Sequence, residues 1–73
     1  MADRLALKVM RTRYRYTQDD MAQKLGISRQ MYSRIEKGQS DGTIQFWGKI
    51  QRIFELTGEE MWHLIYDKAP AEV

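Results

Sequence analysis

The chain has no cysteine and one histidine, and its single proline stands at position 70, close to the end. Without cysteine there is neither a disulfide staple nor a thiolate zinc site. No apolar run approaches the roughly 20 residues that a helix needs to cross a bilayer, and the first residues form no apolar signal region. No glycine-rich phosphate loop appears, and no nucleophile is paired in pattern with a base. His63 has no partner ligands at usable spacing, and Glu59 and Glu60 read as the acids of a helix start. These absences argue against an enzyme, a cofactor and a bound metal. They leave a soluble protein of the cytoplasm, with no membrane contact, as the expectation.

What is present is short and charged. With 73 residues, the chain makes one domain. A chain of this size buries only about 60% of the surface its unfolded form exposes, so its core comes from helix packing with little margin. The net charge of +2 is unevenly spread. Residues 1–37 hold nine Lys/Arg against four Asp/Glu, a net of +5, and residues 38–73 hold three against six, a net of −3. A basic first half attracts phosphate and an acidic second half repels it, so the two ends face differently toward a polyanion.

The spacing of apolar residues predicts five helices. The first runs from about Asp3 to Arg13 on a stripe of Leu7, Met10 and Tyr14, with Arg4, Lys8 and Arg15 off that stripe. Thr17 and Asp20 form a variant capping box for the second, whose inner face is Met21, Ala22 and Leu25 and whose end is Gly26. Ser28 caps the third, Tyr32 and Ile35 point inward, and Gly38 stops it. After a polar loop at Gln39–Gly42, the fourth runs from about Thr43 to Glu55 and buries some of Ile44, Trp47, Ile50, Ile53 and Phe54. Gly48 in its interior suggests close approach by a neighbour. Thr57 and Glu60 box the start of a fifth helix that ends near Tyr66, with Met61, Trp62, Leu64 and Ile65 on its apolar side. One domain spans 1–68, and 69–73 is a tail.

Taken singly, caps and terminal glycines are common. Their sequence here is specific: a cap, a small residue at Ala22, a glycine turn, a second cap two residues on, then glycine again. Two helices crossing steeply over so short a turn need a small side chain at the contact. A helix-turn-helix of this kind most often lays its second helix in the DNA major groove. At Leu7, Arg11, Thr17, Gln18, Met21, Ala22, Leu25, Gly26, Ile27, Ser28, Ser33, Ile35, Glu36 and Gly38 the chain resembles the Cro/phage-repressor, or Xre-type, helix-turn-helix family. The resemblance covers about residues 5–65. It implies an all-α, compact five-helix bundle, lambda-repressor-like, with helices 2 and 3 as the DNA-binding unit.

By that resemblance Arg29, Gln30, Ser33 and Arg34 fall where family members contact base edges. The chemistry agrees: arginine can hold guanine with two hydrogen bonds, glutamine can hold adenine, and serine is permissive. The resemblance also implies phosphate contacts near Thr17 and Gln18, where a helix N-terminus favours an anion. Ser28 and Lys37 complete the expected phosphate set, with Arg15 and Lys24 as weaker candidates. Arg11 and Glu36 match a family pair that locks the reading helix to its scaffold. The sequence departs from many relatives in the loop after the third helix, which lacks their basic residues and proline. It departs again at Tyr32, where a smaller aliphatic residue is usual.

The implied partner is double-stranded DNA, bound by a transcriptional regulator such as a small repressor of phage or mobile-element type. One reading helix contacts too few base pairs for specificity, so a homodimer on half-sites is expected, with Trp62, Ile65 and Tyr66 as its seam. The alternative is a protein-interaction module of the same fold, an antitoxin or a bridging coactivator. Its working surface would be the acidic second half and its aromatics.

Overall fold

The computed structural model describes residues 3–66. It is an all-α bundle of five helices, α1 Leu5–Arg13, α2 Gln18–Leu25, α3 Arg29–Glu36, α4 Ile44–Phe54 and α5 Gly58–Ile65. The domain boundary at 68 and the tail at 69–73 lie outside the described residues.

The helix starts follow side-chain chemistry. Thr17 accepts the Asp20 N–H at 3.0 Å while the Asp20 carboxylate accepts the Thr17 N–H at 2.9 Å. Thr57 and Glu60 repeat this reciprocal box, and Ser28 and Thr43 cap α3 and α4 with their hydroxyls. Each arrangement satisfies N–H groups that a helix leaves without internal partners.

The ends of α1 to α4 share one device. A residue in the left-handed region turns the chain, and the next N–H bonds back five residues. After α2, Gly26 (φ 73°) takes this role, with Ile27 N–H on the Ala22 carbonyl. After α3 it is Gly38 (φ 77°), with Gln39 N–H on Arg34 at 2.8 Å. After α1 and α4 the same positions hold Arg15 (φ 63°) and Glu55 (φ 53°), which pay a steric cost that glycine does not.

Leu7, Met21, Tyr32, Ile35 and Ile50 are the most deeply buried core residues, joined by Leu25, Phe46, Trp47, Phe54, Met61 and Leu64. Burying side chains of this kind contributes roughly 1.5–3 kcal/mol each. Ala22 is buried in the core, and α2 and α3 pack closely against one another.

Several sequence expectations need correction. The first helix begins at Leu5, two residues late, and Tyr14 past its end is half exposed. Ile44 opens α4 and is 89% exposed, because the buried stripe of that helix runs through Phe46, Trp47, Ile50 and Phe54. No neighbour approaches Gly48: a Cβ there would meet nothing within 4 Å. Trp62 lies on the outer side of α5 and is exposed, while Met61 and Leu64 carry the buried side. Arg4, off the apolar stripe, is 1% exposed. It is buried because main-chain carbonyls surround its guanidinium.

Candidate nucleic-acid interface

Helix α3 is two-faced. At about 100° per residue, Arg29, Ser33, Lys37, Gln30 and Arg34 occupy a continuous arc of roughly 140°. Four of them are exposed and Ser33 is partly so. Tyr32, Ile35 and Glu36 form the opposite, buried face. The outward arc carries three cations and no acid. Arg29 meets Asp19 of α2 only at 3.7 Å, with both side chains largely exposed, a contact of little energy. Ser28 spends its hydroxyl on the Met31 N–H at 3.0 Å, which fixes the start of the arc.

The buried face is anchored by a carboxylate. Glu36 Oε2 accepts from Arg11 Nε at 2.8 Å, and its Oε1 accepts from Arg11 Nη2 at 3.2 Å. Gln18 Nε2 donates to the same Oε1 at 2.9 Å, and the Tyr32 hydroxyl donates to Oε2 at 2.8 Å. Burial alone would raise the Glu36 pKa. The hydrogen bonds from Arg11, Gln18 and Tyr32 outweigh burial and hold it below the ordinary carboxylate value. Burial and the facing Glu36 carboxylate push the Tyr32 phenol far up, so it remains a donor. The Glu36 hydrogen bond raises Arg11 against the opposing effect of burial. Arg11 also donates to the Tyr16 carbonyl at 2.8 Å. One carboxylate thus ties α1, the start of α2 and α3 into a single support beneath the cationic arc.

A family model described as helix-turn-helix matches residues 7–61, most of the chain. The chain belongs to the helix-turn-helix family. It is similar to an uncharacterised helix-turn-helix-type transcriptional regulator of Methanocaldococcus jannaschii, 39% identical over 56 residues, or 77% of this chain and 85% of that protein. A second such regulator, of Archaeoglobus fulgidus, is 29% identical over 59 residues, covering 81% of this chain and 84% of its own length. No solved structure matches at a comparable level of significance.

Within the helix-turn-helix domain, the start of α2 and the start of α3 border a shared open concavity. Arg15, Thr17, Gln18 and Arg29 line it together. Thr17 is occupied by its cap, and the Gln18 amide is committed to Glu36. What the start of α2 offers an anion is therefore its backbone N–H groups and helix dipole, not the Gln18 side chain. Arg15 lines this concavity together with the acidic Asp19, although its position in sequence gives it only the standing of a solvated charge. Its left-handed backbone is the signal, and a non-glycine residue with positive φ cannot be read from sequence. Lys37, just past α3, is exposed. Lys24 lies over the Tyr16 ring at 4.6 Å, and Tyr16 is part of the lining of the concavity.

The helix-turn-helix leaves α5 with an aromatic outer face. Trp62 and Tyr66 are 59% and 60% exposed with ring centroids 5.0 Å apart, and Ile65 is half-buried. Ile44, Trp47, Gly48 and Ile65 line a shallow groove between α4 and α5. His63 is exposed and meets Trp62 edge-on. Among the described residues no helix is long and apolar enough to cross a membrane.

Proposed function

We propose that this helix-turn-helix domain is a sequence-specific, double-stranded-DNA-binding transcriptional regulator of the cytoplasm. Its α3 enters the major groove, with Arg29, Gln30, Ser33 and Arg34 on base edges. The observation that carries this reading is the outward arc of α3, cationic and amide-bearing, over a buried face locked by Glu36. Arginine and glutamine have the donor geometry for guanine and adenine, each good pair contributing roughly 1–3 kcal/mol of discrimination. Phosphates sit at the N–H groups that open α2 beside Thr17 and Gln18, at Ser28 opening α3, and at Lys37. Both archaeal relatives are named as transcriptional regulators, which supports this reading.

The regulator works as a homodimer on paired half-sites about one helical turn apart, ~34 Å. Trp62, Ile65 and Tyr66 make the seam. Two exposed aromatics side by side support this, since an aromatic patch of this kind marks an association site. It is a repressor of phage or mobile-element type: a dimer seated across an operator denies that duplex to polymerase.

Selection of duplexes from a random pool, followed by titration at several salt concentrations, tests the reading. The expected result is a paired motif, bound with an affinity that falls steeply with salt. Failure to enrich any motif, or salt-independent binding, overturns it and favours a protein-interaction module. Sedimentation that finds a monomer at high concentration, and one protein per selected site, overturns the dimer.

A further inference from the structure

Helices α3 and α5 pack little against one another directly, yet a single buried side chain reaches the ends of both. Arg4 Nη1 donates to the Ile35 carbonyl near the end of α3 and, at 2.8 Å, to the Ser40 carbonyl of the following loop. Its Nε donates to the Ile65 carbonyl that ends α5 at 3.2 Å. The Arg4 backbone N–H bonds the Glu36 carbonyl at 2.7 Å. The guanidinium lies over the Trp47 ring of α4 at 5.2 Å. Among the described residues the carboxylate paired with it is Asp41 at 3.7 Å, which is 83% exposed.

A buried charge needs compensation. Here much of it comes from carbonyls at two helix C-termini, where the helix dipoles are negative. Those ends adjoin two functional faces. Ile35 follows Arg34 on the base-reading helix, and Ile65 lies between Trp62 and Tyr66. A dimer reads two half-sites only if each α3 holds a fixed orientation to its own α5. Only a planar fork of donors spans these carbonyls; an ammonium is a point charge on a flexible stem.

We propose that Arg4 is a positioning residue that locks α3 to α5, so that the base-reading and self-association faces turn as one body. This rests on the DNA-reading dimer proposed above. The experiment compares wild type, Arg4→Lys and Arg4→Met on duplexes carrying the selected half-site singly, in the selected spacing, and with the spacing changed by one or two base pairs. Thermal midpoints are measured alongside, and binding is measured well below them. The variants are expected to keep single half-site preference while their discrimination among spacings falls about tenfold. Lysine should rescue little of it.

If wild type shows no base preference, the DNA reading itself fails and this inference falls with it. If wild type prefers a half-site but ignores spacing, the dimer fails and so does the coupling. If wild type is spacing-selective and both variants match it, Arg4 positions nothing and only this inference is lost. Spacing and half-site preference falling together, or neither variant folding at low temperature, would mark a purely structural residue and overturn it as well.

Discussion

Tyr32 donates its hydroxyl to Glu36, one helical turn further along α3, and both side chains are buried. A phenol thus fills a place where a smaller aliphatic residue would fit, and it uses its extra length to reach a carboxylate. The ring packs near Phe46, centroids 6.2 Å apart. Tyr32→Phe keeps that packing and removes one hydrogen bond to a charged group, an expected loss of about 1.5 kcal/mol. Urea unfolding should show a lower midpoint at unchanged slope. An unaltered midpoint means that Glu36 does not depend on the phenol.

Removing the carboxylate itself is costlier. Among the described residues, Glu36→Ala leaves the buried Arg11 guanidinium with the Tyr16 main-chain carbonyl as its acceptor, and Gln18 and Tyr32 lose their acceptor. The expected destabilisation is about 3–5 kcal/mol, enough to threaten folding in so small a domain. Calorimetry that finds the wild-type thermal midpoint would show that the pair does not hold α3.

The same network sets an acid limit. The folded-state pKa of Glu36 is depressed below its ordinary 4.5. Its contribution is therefore complete above that value and is lost as pH falls through the lower, folded-state pKa. Asp20, depressed by its hydrogen bonds with Thr17, acts in the same direction. The midpoint difference between wild type and Glu36→Gln should be large at neutral pH and shrink as the pH drops below the carboxylate range. A difference independent of pH would show that the charge on Glu36 contributes nothing.

Arg15 and Glu55 both occupy the left-handed turn after a helix, so a paired substitution separates strain from use. Glu55→Gly and Arg15→Gly should each stabilise by about 1 kcal/mol, since glycine adopts this conformation without a steric cost. Only Arg15→Gly should also weaken DNA binding and reduce the salt slope by about one. Equal DNA affinity in the two variants removes Arg15 from the phosphate contacts.

Gly48 sits inside α4 with open space around it. Gly48→Ala should stabilise by about 0.5–1 kcal/mol through helix propensity alone. It lines the groove shared by Ile44 and Ile65, so the gain should hold at low protein concentration. Loss of stability even in dilute, monomeric protein would show that the space is not open.

The amino-acid sequence by itself determined the starts of α2 to α5, the glycine turns at Gly26 and Gly38, the small residue at Ala22 and the inward side of α2 and α3. Each is a local rule: a hydroxyl reaches an N–H three residues on, glycine tolerates a positive φ, and apolar residues repeat at helical spacing. Only the tertiary structure decided what Arg4, Gln18, Tyr32, Ile44 and Trp62 do. Arg4 is buried because three carbonyls from two distant stretches, the end of α3 with its loop and the end of α5, converge on it. The Gln18 amide turns inward because α3 brings Glu36 within reach. Ile44 and Trp62 stay exposed because the buried stripes of α4 and α5 rotate away from them. Sequence periodicity locates a stripe only to within a residue or so, whereas burial and pairing depend on which other segments come to lie against it.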